Sequence, residues 1–112
     1  MEDSLFTKII NREIPADIIY EDDLCLAFHD VNPQAPFHVL LIPKLQLAKL
    51  SDSTATEEAL LGHIMLTAPE IARQHGYENF RLVVNNGEEA GQTVFHLHLH
   101  ILAGRSLSWP PG

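Results

Sequence analysis

The chain has one cysteine, Cys25, so no intrachain disulfide can form and nothing favours an oxidising compartment. Cations are also scarce. Seven Lys and Arg stand against 15 Asp and Glu, a formal charge of −8 with the histidines neutral. That balance argues against a nucleic-acid partner, because following a phosphate backbone needs clustered positive charge. No apolar run approaches the roughly 18 residues of a membrane span, which argues against a membrane partner. The first residues, Met-Glu-Asp-Ser, are acidic where a secretory signal would be basic. A cytoplasmic address is the expectation. No repeat, linker or low-complexity segment is visible. With 112 residues, 46% of them hydrophobic and 20% charged, the composition is that of one globular domain spanning residues 1–112.

What the chain has is histidine, seven in all, three of them in Val94-Phe95-His96-Leu97-His98-Leu99-His100-Ile101-Leu102. Apolar and polar side chains alternate here, the period of a half-buried strand and not of a helix. The alternation predicts Phe95, Leu97, Leu99 and Ile101 in a core. His96, His98 and His100 would then form a row on the other face, roughly 6.6 Å apart at about 3.3 Å per residue. A merely solvated face would more readily use Thr, Lys, Glu or Arg. Imidazole titrates near neutrality and acts as nucleophile, acid, base or metal ligand, so chemistry or metal binding is indicated.

The chain leading to that segment divides into short elements. Ser4 is placed to cap a helix over Leu5 to Asn11, closed off by Pro15. Ile18 to Glu21 and Cys25 to His29 flank an acidic turn and predict a hairpin. Asp30 to Pro36 is a loop stiffened by two prolines, followed by a buried strand over Phe37 to Pro43 with His38 at its start. As a lone histidine, His38 reads as structural unless its strand lies beside the histidine row. Thr54 and Glu57 form a capping box opening a long helix, about Ala55 to His75, with Pro69 predicting a kink or split and Gly76 a terminator. His63 and His75 fall on it as surface residues. A strand over Phe80 to Asn85 follows. The glycine-containing loop Asn86 to Thr93 then delivers the chain into the histidines, and small residues there let backbone N–H groups approach an anion. The tail ends Trp109-Pro110-Pro111-Gly112, with Pro-Pro favouring extended chain and the indole suited to a second subunit.

His96-Leu97-His98-Leu99-His100-Ile101-Leu102 resembles the signature of the histidine triad (HIT) family. Glu13-Ile14-Pro15, Ala27-Phe28-His29-Asp30, Pro33-Gln34-Ala35-Pro36, Gly91-Gln92 and the terminal Trp-Pro-Pro-Gly resemble its Hint branch, the histidine triad nucleotide-binding proteins. The resemblance implies an α+β HIT-like fold. It would have a mainly antiparallel sheet of about five strands, one short N-terminal helix and one long helix, with the sheets joined across a homodimer. It implies a purine nucleoside phosphoramidase cutting the P–N bond of adenosine 5′-phosphoramidates, and acting also on aminoacyl-adenylates, to release AMP. By match of position His98 would be the nucleophile, His96 would aid the leaving group, and His100 with His38 would orient the rings. Asp30 would bind the ribose, and Phe6, Ile9, Ile14, Phe28, His29 and Val31 would line the base pocket. Asn85, Gly91, Gln92 and Thr93 would surround the phosphate, and Trp109 would reach the partner's site. Thr93 stands where Hint proteins commonly carry Ser; it keeps the hydroxyl and adds a β-branch.

Those residue types suit that reaction. A neutral imidazole attacks phosphorus in line and splits one hard step into two. The amine leaves only when protonated, a task for His96 or Thr93 worth typically about 10²- to 10⁴-fold. No metal or other cofactor is required. Three alternatives stay open: a zinc site built from the alternating histidines with His38, a nucleotide-binding adaptor with little turnover, and, within the family, a dinucleoside polyphosphate hydrolase or nucleotidyl transferase.

Overall fold

Why each element begins and ends where it does is mostly local. The structure, a computed structural model, describes residues 2–112. Helix α1 is Leu5–Ile10, and the Ser4 hydroxyl accepts the Thr7 N–H as its cap. Phe6 and Ile9, three residues apart, form its buried face. Strands β1 (Ile18–Glu21) and β2 (Cys25–His29) form the expected hairpin, its turn organised by Asp22, whose Oδ1 accepts from the backbone N–H of Leu24 at 2.8 Å and Cys25 at 2.9 Å. Strand β3 (Phe37–Pro43) is buried along its whole length. Strands β4 (Phe80–Val83) and β5 (Leu99–Ala103) complete an antiparallel sheet that has, among the described residues, five strands in the order β1-β2-β3-β5-β4.

Helix α2 is Glu58–Gln74. The Thr54/Glu57 capping box is present, but it opens a 3₁₀ turn over Ala55–Glu57 before the α-helix starts, so the expected α-helical start at Ala55 is three residues early. The predicted split at Pro69 does not occur. Ile64, Thr67 and Ala68 before it and Ile71 and Ala72 after it are all buried, so the turns on either side of the lost hydrogen bond are held by packing. Gly76, at φ +88°, takes the left-handed conformation that ends the helix.

Strand alternation divides the sheet into two faces. Cys25, Ala27, Val39, Leu41, Leu99 and Ile101 pack under α2, while Leu26, Phe28, Leu40 and Ile42 pack with Phe6 and Ile9 of α1.

The histidine segment departs from the expected strand. Only Leu99–Ala103 is strand, and Val94 to His98 is irregular. Leu41 pairs with Leu99, which leaves Ile42 and Pro43 of β3 opposite the residues before it. Pro43 has no N–H, and its carbonyl is taken at 2.8 Å by the His96 ring instead of a backbone amide, so the ladder ends there. The Leu97 N–H turns to Leu47 O at 2.7 Å. Phe95, expected in the core, is 45% exposed because the alternation that would have buried it is gone. For the same reason β4 stops at Val83, opposite His100, two residues short of the expected Asn85.

Candidate active site

Although its backbone is irregular, the segment brings the three rings together on the α1 side of the sheet. Phe6 meets the His98 ring edge-on at 5.1 Å and the His96 ring at 5.9 Å, and His98 and His100 lie 5.1 Å apart. His38, one strand over, faces the same side, with Nε2 2.9 Å from His100 Nδ1.

The hydrogen-bond partners set the tautomers. The Gln34 N–H can only donate, and it lies 3.0 Å from His38 Nδ1. That nitrogen therefore accepts, and His38 Nε2 carries the hydrogen, shared between His100 Nδ1 and Asp30 Oδ2 at 3.3 Å. His98 is the reverse case. Its Nδ1 lies 2.8 Å from the His96 carbonyl, which can only accept, so the hydrogen sits on Nδ1. In the neutral ring the Nε2 lone pair is left open, and among the described residues Nε2 has no hydrogen-bond partner.

Burial keeps the neighbouring rings neutral. His100 is pushed down to about 4, first by desolvation and then by His98 and His38, with Asp30 opposing. His38 is lowered by desolvation, again against the pull of Asp30. His96 is lowered by desolvation, against the Pro43 carbonyl, with a smaller push from His98.

A cavity of about 380 Å³ opens over these rings. His98, His100 and Thr93 form one end; Phe6, Ile9, Ile14 and Phe28 form an apolar wall; His29, Asp30 and Val31 form the rim. Leu5, Pro15, Ala16, Leu40 and Val94 complete the lining, and none of these five was expected at the site. Asp30 is fixed on both sides, since Oδ1 accepts the Asn32 N–H at 2.8 Å and its own N–H donates to His38 O at 2.9 Å.

Several residues expected at the site lie elsewhere. His96 does not line the cavity. It is fully buried, with Nε2–H on Pro43 O at 2.8 Å and Nδ1 accepting from Ser4 Oγ at 2.6 Å, so neither nitrogen is free to serve a leaving group. Gln92 is turned inward too: its amide accepts from Gly87 N–H and donates to the carbonyls of Ala48 and Val94, bracing the loop, and it does not line the cavity. Gly91 has φ +97°, and a side chain there would point at the Asn85 amide; neither residue lines the cavity. Trp109 is 81% exposed on a tail that Arg81 holds through the carbonyls of Leu107 and Ser108. Ser4, read from sequence only as a helix cap, also bonds His96, and with Thr7 and Gln46 it ties α1 to the histidine segment.

Comparison with known proteins now decides the family. The HIT domain profile matches residues 11–107. The chain belongs to the HIT family. It is 68% identical to an uncharacterized HIT-like protein of Synechocystis over 112 residues, covering 99% of this chain and 98% of that one. Its structure is similar to that of a HIT family hydrolase from Legionella pneumophila, with a TM-score of 0.96 at 44% identity, covering 98% of this chain and all of that one. It is also similar to a histidine triad protein from Clostridium difficile, with a TM-score of 0.91 at 44% identity over 96% of this chain and 97% of that one. The five-stranded antiparallel sheet with one short and one long helix is the HIT fold.

Proposed function

We propose that this HIT protein is a purine nucleoside phosphoramidase that hydrolyses the P–N bond of adenosine 5′-phosphoramidates, and the acyl P–O bond of related aminoacyl-adenylates, to AMP, through a nucleotidyl group on His98. The observation that carries this reading is the state of His98. Its ring is locked by one backbone carbonyl, and its other nitrogen is open at the end of a cavity walled by apolar side chains.

Nε2 of His98 attacks phosphorus, the P–N bond breaks, and the amine departs with a proton. The cation that develops on the ring is met by the His96 carbonyl at Nδ1–H, so the bond that fixes the tautomer also stabilises the intermediate. With His96 sealed, the Thr93 hydroxyl is the group on the cavity wall suited to hand the amine its proton, replaced from solvent. Water then attacks phosphorus and gives its proton to solvent by way of the Thr93 hydroxyl, the P–N bond to the ring breaks, and His98 leaves as a neutral imidazole. The neutral His38–His100 pair keeps a second positive charge from forming beside it. Phe6, Ile9, Ile14 and Phe28 suit a flat base, and Asp30 suits ribose hydroxyls.

The homodimer belongs to the same proposal. Strand β4 is a free sheet edge, and an apolar hollow of about 200 Å³ that includes Leu50, Leu61, Met65 and Val84 lies on the α2 side of the sheet. A partner there would also give Trp109 something to reach. A cytoplasmic address fits the one buried, unpaired cysteine, and no helix among the described residues is long and apolar enough to cross a membrane.

A zinc ion is the competing arrangement, because Asp30, His38 and His100 bring ligand atoms within 4.8 Å of one another. One assay separates these readings: chelator-treated protein given adenosine 5′-phosphoramidate or a diadenosine polyphosphate. We expect faster turnover of the phosphoramidate without added metal. Preference for the polyphosphate, activity that returns only with zinc, or AMP binding without turnover would each overturn the proposal.

A further inference from the structure

On the α2 face of the sheet, away from the histidine cavity, a second cluster has no part in the chemistry above. Asp22 and Cys25 belong to the β1–β2 hairpin and His63 to α2. We propose that these three residues hold one zinc-type transition-metal ion, Zn²⁺ or Co²⁺, which clips the long helix to the hairpin.

The donor set is the first reason. A thiol, an imidazole and a carboxylate are the three ligand types that tetrahedral zinc takes, and together they select a borderline-soft ion over calcium or magnesium. The second is distance. One ligand atom from each residue lies within 4.8 Å of the others, and His63 Nε2 is 2.7 Å from Asp22 Oδ2. Zinc bond lengths of about 2.0–2.3 Å give a tetrahedron with edges of roughly 3.3–3.6 Å, so that contact opens by about half an ångström and the other ligand atoms close by at most about 1.2–1.5 Å, within reach of side-chain rotation.

Orientation is the third. Oδ1 of Asp22 is held by the N–H groups of Leu24 and Cys25, and Oδ2 receives the Tyr20 hydroxyl at 2.8 Å, which aims the carboxylate as outer groups do at metal sites. Thr67 donates to the His63 carbonyl at 2.6 Å, one turn further along α2. Access is the fourth. The side chains of His63 and Asp22 are 35% and 27% exposed, while Cys25 lies buried beneath them. The ion enters from solvent and keeps a water at its fourth position.

Binding is balanced as follows. The Cys25 thiol gives its proton to solvent as the sulfur–metal bond forms. The hydrogen of His63 moves from Nε2 to Nδ1, which has no partner among the described residues. Asp22 supplies one oxygen lone pair.

The test is cobalt titration of the chelator-treated full chain. Cys25 is the only cysteine, so a thiolate-to-cobalt charge-transfer band reports this site and cannot arise from the histidine cavity. We expect the band to saturate at one equivalent, to be displaced by zinc, and to need at least about tenfold more cobalt in His63→Ala. Zinc should raise Tm in the parent protein and not in that variant. Cobalt bound without the thiolate band, no binding, or a band indifferent to His63→Ala would overturn the proposal. The spectrum of the unsubstituted protein decides even if the variant folds poorly.

Discussion

The two halves of the histidine segment carry the same alternating letters and do different things. Leu99–Ala103 is a ladder strand, and it sets His100 beside His38 by register. Val94 to His98 has no ladder, and its two histidines are placed by their own ring nitrogens, His96 on Pro43 O and His98 on His96 O. The irregular half therefore contains one ring with both nitrogens engaged and one with a nitrogen open. Within it, location in a bonded network sets each ring's role, and spacing does not.

The largest expected effect separates those two rings. His98→Ala should lower kcat by about 10³-fold or more for a phosphoramidate, with the circular dichroism of the fold retained. His96→Ala should reverse the pattern. It takes the ring partner from Pro43 O, leaves Ser4 Oγ bonded to Thr7 alone and opens a cavity where a fully buried ring stood, and should cost about 2–4 kcal/mol, lowering Tm by roughly 10 °C or more, while folded molecules turn over within about tenfold of the parent rate.

Acid should act through the regular half. An unfolded histidine takes a proton near 6.5 and His100 in the fold only near 4, so between these values protons favour the unfolded chain. Stability should be full above about pH 6.5 and fall by roughly 3 kcal/mol on the way to pH 4, at about 1.36 kcal/mol for each pH unit, with His38 and His96 adding in the same direction. Chemical denaturation at a series of pH values would show it, and a stability that stays flat down to pH 4 would count against the buried neutral rings. The smallest effect concerns Thr93. Thr93→Ser should keep kcat within a few-fold, whereas Thr93→Ala should lose about 10- to 100-fold, most with the most basic amine leaving groups.

Much of this was legible beforehand because it is local. Ser4, the Thr54/Glu57 box and the two short runs around Asp22 announce α1, α2 and the first hairpin through capping and turn chemistry. Ten of the residues expected at the site do line the cavity: Phe6, Ile9, Ile14, Phe28, His29, Asp30, Val31, Thr93, His98 and His100. His38 supports them through His100. What was not legible depends on partners distant in sequence. Nothing near His96 reveals that Pro43, 53 residues away, and Ser4, 92 away, take its two nitrogens. Gln92 likewise turns inward to Ala48, and His63, which reads as surface on its helix, meets Asp22 across 41 residues. A helix or strand period records which face a residue occupies and carries no information about which polar atom waits there.

The most direct measurement is a trapped intermediate. Brief mixing with an adenosine phosphoramidate labelled at phosphorus, quenching, and peptide mapping should place an acid-labile, base-stable nucleotidyl group on His98, absent from His98→Ala. Label on any other residue, or no label during fast turnover at a time resolution shorter than one cycle, would contradict the account.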